Sequence, residues 1–131
     1  MIVGIGVDSV LVRRIRDALT RHGRRFAEKL LTAGELERFD AHAQPARYLA
    51  KRFAVKEAFS KALGTGMRHP VTWRHIGTSH DDHGAPTLDL APELEALVRS
   101  RGITRTHVSV TDEEQQAVAF VILEQACADR S

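Results

Sequence analysis

Apolar positions recur with two different periods along the chain, and the change of period separates a mainly helical first half from a strand-rich second half. Ile2, Val3, Ile5 and Val7 are β-branched and are interleaved with Gly4 and Gly6. This predicts a short buried strand over 1–7 whose glycines let another backbone come close. Asp8 ends the strand, and Ser9 is read as the cap of a helix from Val10 to His22. In that helix Val12, Ile15 and Leu19 repeat at helical spacing, while Arg13, Arg14, Arg16 and Arg21 take other positions and Gly23 is the stop. Phe26 to Leu31 continues as a short helical turn, and Thr32 with Glu35 three residues later is a capping box for a helix through about Ala41. Pro45 opens the longest helical pattern, Ala46 to Leu63, with Leu49, Phe53, Ala58, Phe59 and Ala62 as its inward face and Gly64 as its stop.

Beyond this helix, alternation takes over. Ile76 to His80 and Thr87 to Leu90 flank the polar run from Asp81 to Pro86, which reads as a hairpin. Pro92 starts a helix to Arg101, closed by Gly102, and two strands follow, Thr106 to Thr111 and Ala117 to Leu123, separated by the polar stretch Asp112 to Gln116. There is no repeat and no low-complexity linker. The pattern therefore predicts an α+β fold, helices packed on a mainly antiparallel sheet, with residues 1–131 forming a single domain.

Composition narrows the class further. No apolar run approaches the roughly 20 residues of a membrane-spanning helix, and the first residues lack the basic region and cleavage site of a signal peptide. No membrane association is expected. The single cysteine, Cys127, cannot form an internal disulfide, which points to a reducing compartment and a cytoplasmic protein. The net charge of +2 conceals an asymmetry: residues 1–75 carry 15 Lys and Arg against 7 Asp and Glu, a net of +8, and residues 76–131 carry 4 against 10, a net of −6. These charges either mix on one folded surface or give the first half a basic face suited to phosphates or to an acidic protein.

Asp8 stands between a glycine-containing strand and a helix, where a side chain can face a cleft, although a helix N-terminus also favours an acid for its dipole alone. Glu57 and Lys61 are four apart, so they project from one helix face about one turn, roughly 5.4 Å, apart. Spacing alone favours an ordinary surface ion pair. Two carboxylates from distant segments would suit Mg²⁺, which keeps waters and completes its shell with substrate phosphates. A lysine one turn away would neutralise a phosphate leaving group, and the three together describe phosphoryl transfer. Gly64, Thr65 and Gly66 follow a helix end, where they act as a C-cap or permit close approach of a ligand. His107, Ser109 and Thr111 alternate with Val108 and Val110, placing polar groups on one strand face that is either solvated or the wall of a site. His22, His42, His69, His75, His80 and His83 show no metal-ligand spacing. The run His80 to His83 reads as a polar turn.

These residues resemble the holo-[acyl-carrier-protein] synthases, the small phosphopantetheinyl transferases. The resemblance lies in Gly4 to Asp8, in Arg25 to Glu28 with Thr32 and Glu35, in the continuous run Arg52 to Gly66, and in His107 to Thr111. It implies transfer of the phosphopantetheine arm of coenzyme A to a serine of apo acyl carrier protein, with release of adenosine 3′,5′-bisphosphate. Asp8 and Glu57 then match the Mg²⁺ ligands, Glu57, directly or through a metal-bound water, the base for the carrier serine, and Lys61 the group assisting the leaving bisphosphate. Arg52, the Gly64, Thr65 and Gly66 turn and His107 fall where such proteins meet coenzyme A. Arg14, Arg21 and Arg25 match the basic surface that receives the acidic helix of the carrier protein. The resemblance also implies a homotrimer with active sites at subunit interfaces. Asp112 departs from it, standing where many members have His. From the residues alone, two other classes stay open: a noncatalytic basic module on nucleic acid, which the 5% aromatic content disfavours for single strands, and a phosphohydrolase using the same carboxylates. The expectation is no nucleic-acid partner.

Overall fold

The computed structural model describes residues 1–127. In chain order the elements are β1 (Ile2–Leu11), α1 (Val12–His22), α2 (Arg24–Leu30), α3 (Ala33–Ala41), α4 (Pro45–Leu63), a 3₁₀ turn (Trp73–His75), β2 (Ile76–His80), β3 (Pro86–Leu90), α5 (Pro92–Ser100), β4 (Arg105–Asp112) and β5 (Gln116–Glu124). The strands form a three-stranded sheet in the order β1-β5-β4 and a β2-β3 hairpin. Every ladder is antiparallel. The α+β expectation therefore holds, with five α-helices packed on two antiparallel sheets among the described residues.

Helix α4 is the axis. Pro45 sits in its first turn and Gly64 ends it in the left-handed conformation, φ 81°, its N–H reaching the carbonyls of Ser60 and Lys61. Arg101 adds a second closure, donating from Nη1 to the Leu63 carbonyl at 2.9 Å. Leu49, Val55 and Phe59 of α4 are fully buried with Val121 and Leu123 of β5 and Leu94 of α5 in one apolar cluster. Each such side chain contributes about 1.5–3 kcal/mol by leaving water. The capping box is present as expected: Glu35 N–H donates to Thr32 Oγ1 and Thr32 N–H to Glu35 Oε1. In the hairpin, Asp81 Oδ1 accepts the His83 and Ala85 backbone N–H groups, so the polar turn read over His80 to His83 is a self-bonded turn.

The N-terminal strand differs from expectation in three ways. It does not end at Asp8 but runs to Leu11, because Asp8 to Leu11 continue the ladder with Ala119 to Gln116. Ser9 caps nothing: α1 begins at Val12 behind Leu11, and Ser9 Oγ instead accepts from Gln116 Nε2. Nor is the strand buried on both sides. Its inner face lies so close on α4 that a Cβ added to Gly4 or Gly6 would fall 2.0 Å from the carbonyl oxygen of Ala62 or Ala58. Its outer face leaves Val3, Ile5 and Val7 exposed, alongside Phe120 of β5. Cross-strand pairing fixes this face: Val7 opposes Phe120, which opposes Ser109, and Ile5 opposes Ile122, which opposes His107.

Candidate functional site

Asp8 belongs to the same strand face as Gly6 and Val10, the face turned to α4, and there it meets the helix side chains. Lys61 Nζ donates to Asp8 Oδ1 at 2.9 Å and to the Val7 carbonyl at 3.2 Å. Glu57, one turn back, accepts from the indole Nε1 of Trp73 at 3.0 Å through its Oε1. Asp8, Glu57 and Arg14 line one cleft of about 640 Å³, whose walls include Phe26 and Phe53. The three residues expected to do the chemistry are therefore brought together by the β1–α4 contact, with Arg14 added. Asp8 Oδ2 and Glu57 Oε2 have no protein hydrogen-bond partner among the described residues, so each carboxylate offers one uncommitted oxygen beside a fixed one.

A second groove of about 720 Å³ adjoins this cleft across the shared Phe26 and Phe53. Arg21, Arg25 and Lys29 line it above a floor of Phe26, Leu30, Phe53 and Trp73. The basic half of the chain thus concentrates positive charge next to the carboxylates, with apolar surface beneath it.

Other expected residues lie elsewhere. Arg52, five residues before Glu57, is turned about 140° around the helix from it. It is buried, stacks on the Tyr48 ring at 5.2 Å, and leaves Nε and Nη1 without partners. Burial pulls its guanidinium below its ordinary pKa. Gly64, Thr65 and Gly66 form the turn just beyond Lys61, closed by Thr65 Oγ1 donating to the Gly66 carbonyl. His107 sits on the outer face of the sheet, with Nε2 2.9 Å from Glu124 Oε1. Within one chain the sheet separates it from the cleft. Asp112, the departure noted above, accepts from Arg47 at 2.7 Å and lies 3.6 Å from Lys51 Nζ, tying β4 to the start of α4.

Three features were not read from the sequence. Lys56 is wholly buried, donating to Glu35 Oε1 at 2.7 Å, the Trp73 carbonyl at 2.8 Å and the Ile76 carbonyl. Burial holds its ammonium below the ordinary lysine pKa. Trp73 is thereby anchored by its backbone to Lys56 while its indole holds Glu57. The third feature corrects the view of the histidines: His69, His75 and Glu93 bring three ligand atoms within 4.8 Å of one another. Only the run Arg52 to Gly66 carried a signal for Lys56. The other two arise from pairings between a loop and distant elements, which no local spacing records.

Comparison with known proteins shows the family. The family model of the 4′-phosphopantetheinyl transferase superfamily matches residues 4–121. A holo-[acyl-carrier-protein] synthase of Thiobacillus denitrificans is 52% identical over 126 residues, covering 96% of this chain and 96% of the relative. The crystal structure of the holo-[acyl-carrier-protein] synthase from Neisseria meningitidis superposes with a TM-score of 0.92 at 45% identity, covering 95% of this chain and 100% of the other. That of Bacillus anthracis, in complex with CoA (3′,5′-ADP), gives 0.79 at 34% identity, covering 96% and 99%. With the paired carboxylates, the adjacent lysine and the basic groove all on one side of α4, the chain belongs to the 4′-phosphopantetheinyl transferase superfamily, among its holo-[acyl-carrier-protein] synthases.

Proposed function

We propose that the cleft between β1 and α4 transfers the phosphopantetheine arm of coenzyme A to a serine of apo acyl carrier protein, releasing adenosine 3′,5′-bisphosphate. The observation that carries this is that Asp8 and Glu57 share one cleft, with Lys61 bonded to Asp8, beside an Arg-lined groove. The carrier serine gives its hydroxyl proton to Glu57 as its oxygen bonds to the phosphorus bearing the pantetheine arm. The bond from that phosphorus to the bridging oxygen breaks, and the electron pair leaves with the bisphosphate. Lys61, already bonded to Asp8, neutralises the charge developing on the leaving group. The uncommitted oxygens of Asp8 and Glu57 are hard donors from two elements, a set that fits Mg²⁺. The ion, when bound, supplies charge neutralisation for the pyrophosphate of the substrate.

For the rest of coenzyme A, the proposed contacts are the Gly64–Gly66 turn, His107, and Arg52, whose two unpartnered buried nitrogens would be satisfied by an anionic oxygen. In the proposed homotrimer the exposed apolar outer face of the sheet would be covered and His107 of one copy carried toward the cleft of another. A solution mass of three 14.5 kDa chains is the expected result. The unpaired, exposed Cys127 fits a cytoplasmic setting.

The direct test is intact-protein mass spectrometry of apo acyl carrier protein incubated with this protein, coenzyme A and Mg²⁺, beside a chelator control. A Mg²⁺-dependent gain of one phosphopantetheine arm is expected. Release of phosphopantetheine without attachment to the carrier would instead make the protein a hydrolase.

Two further outcomes are expected. Arg25→Ala should raise KM for the carrier protein about 3–10-fold with little change for coenzyme A, and added salt should erode the difference, because a charge at the margin of an interface acts mainly through encounter. An equal rise for both substrates would remove the groove from carrier docking. Trp73→Phe removes the indole N–H from Glu57 and should lower kcat about tenfold, the equivalent of one hydrogen bond of about 1.5 kcal/mol to a charged acceptor. An unchanged kcat would assign Trp73 to packing alone.

A further inference from the structure

His69 and His75 lie in the connection from α4 to β2, and Glu93 lies in the first turn of α5. They face one another across a depression of about 460 Å³ that is separate from the carboxylate cleft and has Arg74 on its wall. His69 Nε2 stands 3.2 Å from Glu93 Oε2. Two ligands of a tetrahedral zinc, bound at about 2.0–2.1 Å, are separated by about 3.3 Å. His75 is oriented from behind: its Nδ1 lies 2.7 Å from the Pro70 carbonyl. A carbonyl only accepts, so Nδ1 carries the hydrogen and Nε2 is left with its lone pair. This is the outer hydrogen bond by which metal-binding imidazoles are commonly fixed in tautomer and direction.

We propose that His69, His75 and Glu93 form a binding site for a divalent first-row transition cation of the Zn²⁺ type, distinct from the hard-cation site of Asp8 and Glu57. Two imidazole nitrogens and one carboxylate oxygen suit zinc, copper or nickel rather than magnesium. Three protein ligands leave a fourth position for water. The bound ion replaces the His69–Glu93 contact, with His69 presenting an unprotonated Nε2, so affinity falls as the histidines protonate. It ties the α4–β2 connection to α5, and that connection contains Trp73, whose indole holds Glu57.

Zinc alone is the probe, titrated calorimetrically into the full chain carrying Cys127→Ser, which removes the exposed thiol, with Mg²⁺ in large excess to occupy oxygen-only sites. One Zn²⁺ per chain is expected. His69→Ala and Glu93→Gln, both at exposed positions that leave the fold intact, should each weaken it by at least the ~10–100-fold that loss of an outer partner of a metal ligand costs. Asp8→Asn should bind as the parent does. Zinc should also raise the melting temperature of the parent and not that of His69→Ala, since a ligand of the folded state stabilises it by mass action. Parental affinity in both His69→Ala and Glu93→Gln, or loss confined to Asp8→Asn, overturns the proposal. Because no turnover is measured, either outcome is independent of the transferase reading.

Discussion

Glu57→Gln should lower kcat for carrier modification by about 10²–10⁴-fold, the range associated with a positioned proton acceptor, while leaving the melting temperature within a degree or two of the parent. The substitution keeps the volume of the side chain and an oxygen able to accept from Trp73 Nε1. It removes the negative charge and the basicity. Half-exposed on α4 and outside the apolar cluster, Glu57 contributes little to folding, so activity and stability separate cleanly at this position. Progress curves followed by intact mass, with coenzyme A and carrier saturating, give the kcat ratio directly. If Mg²⁺ at higher concentration restored the parental rate, Glu57 would be a weak metal ligand and the proton would go elsewhere.

Lys56→Met should have the opposite profile, a large loss of stability from a residue that touches no substrate. Removing one partner of a buried ion pair costs about 3–5 kcal/mol, because the other charge is left without compensation. Here the survivor is Glu35, 2% exposed, whose Oε2 already lacks a partner. The carbonyls of Trp73 and Ile76 also lose a donor. Chemical denaturation measures the loss. The double variant Lys56→Met, Glu35→Gln should recover roughly half of it, since the amide removes the stranded charge and still accepts the Thr32 N–H of the capping box. A single variant as stable as the parent would show that the Lys56–Glu35 pair adds nothing net to folding.

How far these features could be read in advance depended on the range of the interaction that makes them. Helix α4 was legible because Pro45, the apolar face and Gly64 are local signals for start, burial and stop. The Thr32–Glu35 box and the hairpin around Asp81 were legible for the same reason. The end of β1 was not: Asp8 and Ser9 are good helix starters by type, but pairing of Asp8 to Leu11 with β5, over a hundred residues later, outweighs that preference. Its outer face was misjudged because β-branched residues on both sides of a strand suggest burial on both sides, and the chain itself covers only one. For the site, the carboxylates and Lys61 could be named from the sequence, whereas Trp73 and the His69, His75 and Glu93 group depend on where a loop is laid down.

The contact between β1 and α4 has a consequence for how the protein can vary. At Gly4 and Gly6 the strand rests on the helix backbone itself, so the depth and register of Asp8 are set by main-chain atoms. Substitutions at Ile5 and Val7 alter the opposite face and leave that register untouched. The two faces of one strand are therefore free to change under separate selection. The outer face can drift or be redesigned without moving the carboxylate that faces inward.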